Sequence, residues 1–245
     1  GKNRVLAGAE PGLTRDAIPI EWETEGRAIR LIDTAGLRRR AKVTSKLERV
    51  TAADTRRGVA MAQVALLVID GQSPMERQDL TVANMALELG RALVVVVNKW
   101  DMVTDREAMI AALRGRLADS LPQVKGVPIV TLSALTGDGV DTLMPAVYRA
   151  FELWSRRVGT GALNRWLGGI LQRQPPPQVG GRTLRIRYIT QASARPPTFV
   201  LFSNRPRDVP DSYIRFLLND LREAFDLPGV PVRISLRASG RRKAA

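Results

Sequence analysis

The chain has 245 residues, 44% hydrophobic and 25% charged, the proportions of an ordinary folded protein with room for one large core or two smaller ones. It contains no cysteine, which excludes disulfides and thiolate metal sites, and no histidine, which excludes the usual general base and any Ser-His-Asp triad. The formal charge of +14 is unevenly placed: from Ser155 onward 17 Lys and Arg stand against 5 Asp and Glu, whereas the residues before it carry 21 and 19. In chain order, residues 17–24 and 27–33 read as paired strands around a Glu25-Gly26 turn, and residues 45–61 as a helix. Strand 64–69, helix 76–89, strand 92–97, helix 105–120, strand 127–132 and helix 140–154 follow. The aliphatic runs at 64–69 and 92–97 are too short to span a bilayer and predict strands covered on both faces of a parallel sheet. After Trp154 the pattern changes to helix 160–172, stopped by Pro175-Pro176-Pro177, then strands 182–192 and 198–203, helix 212–225 and strand 230–237. That order predicts a small α+β domain, followed by a basic tail at 239–245.

In an open parallel sheet ligands sit beyond the C-terminal ends of the strands, so the residues just after the strands carry the chemistry. Asp33-Thr34-Ala35-Gly36 follows one: Asp33 can hold a water bound to Mg²⁺, and the backbone of Gly36 can approach a γ-phosphate closely. Asn98-Lys99-Trp100-Asp101 follows another. Asp101 can accept two hydrogen bonds from the N1–H and N2–H₂ edge of guanine, which adenine does not offer. Lys99 can lay its methylene stem over the base, and Asn98 can brace the loop. The amides of Ser133, Ala134 and Leu135, after the next strand, can meet the guanine oxygen, and Thr14 can place its hydroxyl on Mg²⁺. Asn98-Lys99-Trp100-Asp101 is far more specific than the others, which are weak alone; the order Thr14, Asp33, Asn98, Ser133 is that of a translation-factor-type GTPase.

The resemblance extends further. Residues 11–18, Pro-Gly-Leu-Thr-Arg-Asp-Ala-Ile, and the basic stretch 33–40 resemble the two switches of the bacterial EngA/Der double GTPases. Residues 69–79 and 98–101 resemble the second G domain of that family. Asn164-Arg165-Trp166-Leu167, residues 199–204 and Asn219, Leu221 and Arg222 resemble its C-terminal KH-like domain. The resemblance implies an α/β fold with a P-loop GTPase-type, mainly parallel sheet flanked by helices over residues 1–155. A small α+β KH-like domain would span 156–238, with the basic tail at 239–245. It implies GTP or GDP and Mg²⁺ as ligands, a monovalent cation such as K⁺, and hydrolysis of GTP during assembly of the large ribosomal subunit; the chain, with no basic-then-apolar start and no apolar run long enough to span a bilayer, reads as cytoplasmic. The partners implied are that subunit and its rRNA, with no membrane and no DNA.

Three departures shape the expectations. No complete GxxxxGK[ST] loop is present; Gly1-Lys2 reads either as the end of one, with Lys2 on the phosphates, or as an unrelated leader. Because Asn3-Arg4-Val5 resembles the family just after its first helix, a stretch between Lys2 and Asn3 is expected to be missing, along with the first strand. The chain as it stands should then bind nucleotide poorly. The family's first G domain is also absent, and no GxxG clamp occurs in the last third, as in EngA/Der itself. Leu37 stands where other GTPases orient water with glutamine, so intrinsic turnover should be slow. The basic third should bind RNA through Arg182, Arg185, Arg187, Arg205, Arg207, Arg241 and Arg242, mainly at phosphates. The competing readings are an rRNA-binding module with a non-functional nucleotide site, and an Era-like GTPase with a working KH domain.

Overall fold

The computed structural model describes residues 19–24, 26–32, 55–73 and 75–239, which fall in two units, 1–62 and 63–245. In the first unit β1 (Pro19–Thr24) and β2 (Arg27–Ile32) form an antiparallel hairpin closed by the Thr24↔Arg27 pair. Gly26 supplies the positive φ of 70° that such a short turn needs. Helix α1 is described over residues 55–61, the end of the expected 45–61 helix.

The second unit begins with a parallel three-stranded sheet in the order β3 (Val64–Asp70), β4 (Ala92–Asn98), β5 (Ile129–Thr131). Its crossovers are α2 (Arg77–Glu88) and α3 (Arg106–Ser120), and α4 (Leu143–Trp154) follows β5. The start of α2 is a reciprocal cap: the buried Asp79 carboxylate accepts from the Glu76 amide at 2.9 Å while Glu76 accepts from the third helical amide. Asp105 caps α3 by accepting from the Ala108 amide at 3.0 Å. Strand β4 separates two cores: Leu93, Val95 and Val97 pack with α2 and α3, and Ala92, Val94 and Val96 pack toward α4. It is therefore covered on both faces, as expected. Among the described residues β3 is covered on one face, with Leu66 and Val68 exposed on the other, Val68 by 55%. Among the described residues it is an edge of this sheet; Leu67 and Ile69 are buried in a core, and Val64 and Ala65 pack against one.

The last third follows the expected order: α5 (Thr160–Arg173), β6 (Ile186–Ala194), β7 (Pro197–Ser203), α6 (Asp211–Ala224) and β8 (Arg233–Ala238). Strands β6 and β7 are antiparallel, β7 and β8 parallel. Strand β6 starts four residues later than the expected 182, because Val179 and Arg182 bond to each other in a local turn. This small sheet shares its core with the first: Leu163, Leu167, Ile189, Phe199, Leu201, Leu217 and Leu221 continue from Val94, Val96 and Trp154. The joint is also polar. Trp154 Nε1 donates to the Gly90 carbonyl at 2.6 Å, Arg233 Nη2 to that of Glu88 at 2.6 Å, and Arg222 Nη2 to that of Gln123 at 2.5 Å. Among the described residues no helix is long and apolar enough to cross a membrane.

Candidate nucleotide site and basic surface

At the C-terminal edge of the parallel sheet three loops meet around one side chain. The Asn98 side-chain oxygen, Oδ1, accepts from its neighbour's amide, Lys99 N, at 2.8 Å and from Ala134 N at 2.9 Å. It thereby ties the loop after β4 to the loop after β5, and Trp100 N adds a bond to the Leu132 carbonyl at 3.1 Å. Lys99 takes a left-handed backbone, φ 59° and ψ 39°, rare for a residue with a side chain and held here by the bond to Asn98. A short 3-10 turn, Trp100–Met102, follows and leaves Asp101 exposed, its carboxylate without a partner among the described residues.

The loop after β5 is closed on itself. Ser133 is fully buried; its amide donates to Asp138 O at 2.9 Å and its hydroxyl accepts from Thr136 N at 3.2 Å. Gly139, at φ 73°, lies so close to the Thr131 carbonyl that no Cβ fits there. Of the three amides expected to face a base, those of Ser133 and Ala134 are engaged inside the protein. That of Leu135, whose side chain is 89% exposed, has no acceptor among the described residues.

Two residues not singled out for the site complete it. Asp70, at the end of β3, pairs with Lys99 Nζ at 2.6 Å and accepts from the Gln72 amide at 2.9 Å. The Gly71 amide donates to the backbone carbonyl of Asn98 at 2.8 Å, and a Cβ on Gly71 would meet Val103 at 2.7 Å. The signal that could have found them was their position immediately after a parallel strand. Lys2, Thr14, Asp33 and Gly36 lie outside the described residues. Among the described residues no cluster of acidic side chains could hold a metal ion.

Five of the basic residues of the last third, Arg182, Arg185, Arg187, Arg205 and Arg207, stand at one end of its sheet, and Arg195 and Arg233 at the other. Asn204 ties the segment before β6 to the end of β7: its side chain accepts from Arg185 N at 2.8 Å, and its own amide donates to the Arg185 carbonyl at 3.1 Å. Arg182, Arg185, Arg187 and Arg207 are exposed there. Arg205 is half-buried and paired with Asp208 at 3.3 Å. Ser239 N donates to Ser203 O at 2.8 Å, so the chain leaves β8 at the same end on its way to Arg241 and Arg242, which lie outside the described residues.

Residues 4–152 match the elongation factor Tu GTP-binding domain family, and residues 157–237 match the C-terminal KH-domain-like family of EngA bacterial GTPase enzymes. A GTPase Der of Parvibaculum lavamentivorans is 52% identical over 237 residues, 97% of this chain and 50% of that protein. The chain belongs to the EngA/Der family. A second Der relative, from Brucella anthropi, is 48% identical over 239 residues, 98% of this chain and 50% of its own. The chain thus spans about half the length of the curated EngA/Der relatives it matches. A solved structure of Era in complex with MgGDPNP and a segment of 16S ribosomal RNA aligns over 96% of this chain and 84% of its own, at TM-score 0.49 and 17% identity.

Proposed function

We propose that this chain supplies the guanine-binding and RNA-facing parts of an EngA/Der GTPase that hydrolyses GTP to GDP and phosphate during assembly of the large ribosomal subunit. The observation that carries the proposal is the Asn98 latch, which sets a carboxylate, Asp101, and an amide, Leu135 N–H, neither with a partner among the described residues, on loops that it binds together. Guanine offers the complementary pattern, two donors on its N1–N2 edge and a carbonyl oxygen beside them. The Asn98 amide nitrogen remains a free donor for a ring nitrogen once its oxygen is spent on the two loops. Lys99, its ammonium held by Asp70, would lay its stem over the base. These residues fit the base end of the nucleotide.

For the other end the family resemblance assigns Lys2 and Gly36 to the phosphates, Thr14 and Asp33 to Mg²⁺, and a monovalent cation such as K⁺ to assist. Bound Mg²⁺ would neutralise charge on the phosphates. Leu37 cannot orient a water, so slow intrinsic turnover is part of the reading. The arginines at the basic end of the C-terminal sheet would hold rRNA by its phosphates, in the cytoplasm where ribosomes assemble.

The test is competition binding with guanosine, adenosine, inosine and xanthosine triphosphates in a version that carries a complete phosphate loop. Asp101→Asn is expected to weaken GTP by at least about ten-fold and to favour xanthosine triphosphate, whose extra carbonyl needs a donor. Unchanged GTP affinity in that variant rejects the assignment. A second reading, a module that binds rRNA without nucleotide, is favoured by the absence of any GxxxxGK[ST] run in the 245 residues. Calorimetric titration of the 245-residue chain with GDP and Mg²⁺ separates the two readings: weaker than micromolar is expected, and tight binding removes the second.

A further inference from the structure

The C-terminal sheet has two ends with different surroundings. At one, the β6–β7 turn carries Pro196, which lies within 2.8 Å of where a Cβ on Gly90 would stand, and Arg233 bonds to Glu88. That end is joined to the first sheet. At the other end Tyr188, Phe202 and Arg237 stand in one row across β6, β7 and β8, through the pairs Tyr188↔Phe202 and Phe202↔Arg237. Their neighbours Ile189, Leu201 and Leu236 form the adjacent row and turn to the core.

The two rings lie 5.7 Å apart at 47°, and Tyr188 is 41% exposed. A β-bulge between Ile186 and Tyr188 breaks the alternation of β6, so Arg187 and Tyr188 both face outward between the buried Ile186 and Ile189. Arg185, Arg187 and Arg237 are exposed, and their guanidinium groups have neither a hydrogen bond nor an ion pair among the described residues. Residues 182–207 contain six arginines and no carboxylate.

An outward aromatic pair ringed by unpaired guanidinium groups suits one chemistry in particular. A nucleobase can stack on the ring while the phosphates on either side of it meet the arginines. We propose that Tyr188 and Phe202, with Arg187 and Arg237, form a stacking platform for single-stranded RNA. The proposal rests on the RNA-binding reading above and adds to it a contact to bases, where the arginines alone read only phosphates. It needs no GxxG loop, because an exposed sheet face presents the rings directly.

The 245-residue chain can be titrated with labelled oligoadenylate and with an abasic ribose-phosphate oligomer of equal length, over a salt series. Tyr188→Ala and Tyr188→Leu are expected to weaken oligoadenylate binding by about ten-fold, with no change in the slope of log affinity against log salt. Tyr188→Phe should bind as the parent does, and the abasic oligomer should respond to none of the three. Should Tyr188→Ala fail to fold by circular dichroism, the contrast between Leu and Phe carries the same information. Parent-like binding by both Ala and Leu variants, with Arg187→Ala still lowering the salt slope, overturns the platform and leaves RNA binding standing. The same result accompanied by loss of a dimer in sedimentation would assign the face to a second copy of the chain. Absence of RNA binding by the parent at low salt removes both readings.

Discussion

Asn98 acts through its side-chain oxygen on two backbone amides from different loops, and this double use decides which groups remain for a ligand. The Ala134 amide points at Asn98 and the Ser133 amide at the Asp138 carbonyl, so among the described residues Leu135 presents the open donor. A buried polar contact of another kind sits far along the chain. Tyr213 is 6% exposed and its hydroxyl donates to the Gln174 carbonyl at 2.7 Å. Burial raises its pKa from 10.0 to about 12, because the phenolate would lose its hydration. Below pH 10 the contribution to stability is complete. Above it the unfolded chain ionises while the fold does not, so stability falls until about pH 12, by on the order of 2 kcal/mol. Urea midpoints measured across this range should fall more steeply in the parent than in Tyr213→Phe; identical curves would show that the hydroxyl is not held neutral.

At the scale of elements, α4 joins the two sheets. Its last residue, Trp154, is buried and bonds to Gly90, the buried glycine that ends α2 with a φ of 75°. Trp154→Phe keeps most of the apolar volume but leaves the Gly90 carbonyl without its donor. The expected cost is about 1–3 kcal/mol, read as a lower denaturation midpoint with no change in the cooperativity of the transition. A stability within a few tenths of a kcal/mol of the parent would mean that another group satisfies that carbonyl. Arg222 meets the same joint from α6: it is 7% exposed, Nη2 reaches Gln123 O, and Nε has no partner among the described residues. Burial lowers its pKa, since the charged guanidinium is costly away from water. In the sequence Arg222 stands out only through the family resemblance, and its position at the joint comes from packing alone.

Over the whole unit, the last third is polarised. Its hairpin turn is spent on the first sheet, and its opposite end carries the unpaired arginines and the exit toward Arg241, Arg242 and Lys243. RNA held there should show strong salt dependence. Each phosphate contact removed by Arg185→Ala, Arg207→Ala or the pair Arg241→Ala and Arg242→Ala should lower the slope of log affinity against log salt by about 0.7–0.9. Arg205→Ala should change it less, because Arg205 is already paired with Asp208. Fluorescence anisotropy with an rRNA fragment reads these slopes, and a flat salt response in the parent would rule out the phosphate contacts. The measurement belongs on the 245-residue chain, because a core shared with Val94, Val96 and Trp154 gives residues 155–245 no separate interior.

Periodicity and strand-end position were enough to determine the order of the described elements and the parallel sheet, and the spacing of Asn98, Asp101 and Ser133 points to the loops proposed for a base. These depend on local pattern: aliphatic runs make strands, and loops at their C-terminal ends collect ligands. The hairpin and most helix limits were legible within a few residues for the same reason. Tertiary structure alone decided that Lys99 is held by Asp70, 29 residues away, and that Gly71 must lack a side chain beside Val103. It also decided that β6 begins with a bulge, which sets Tyr188 and Arg187 on the same side of the sheet. Contacts between distant segments follow from which surfaces meet, and a linear pattern records only which surfaces are apolar.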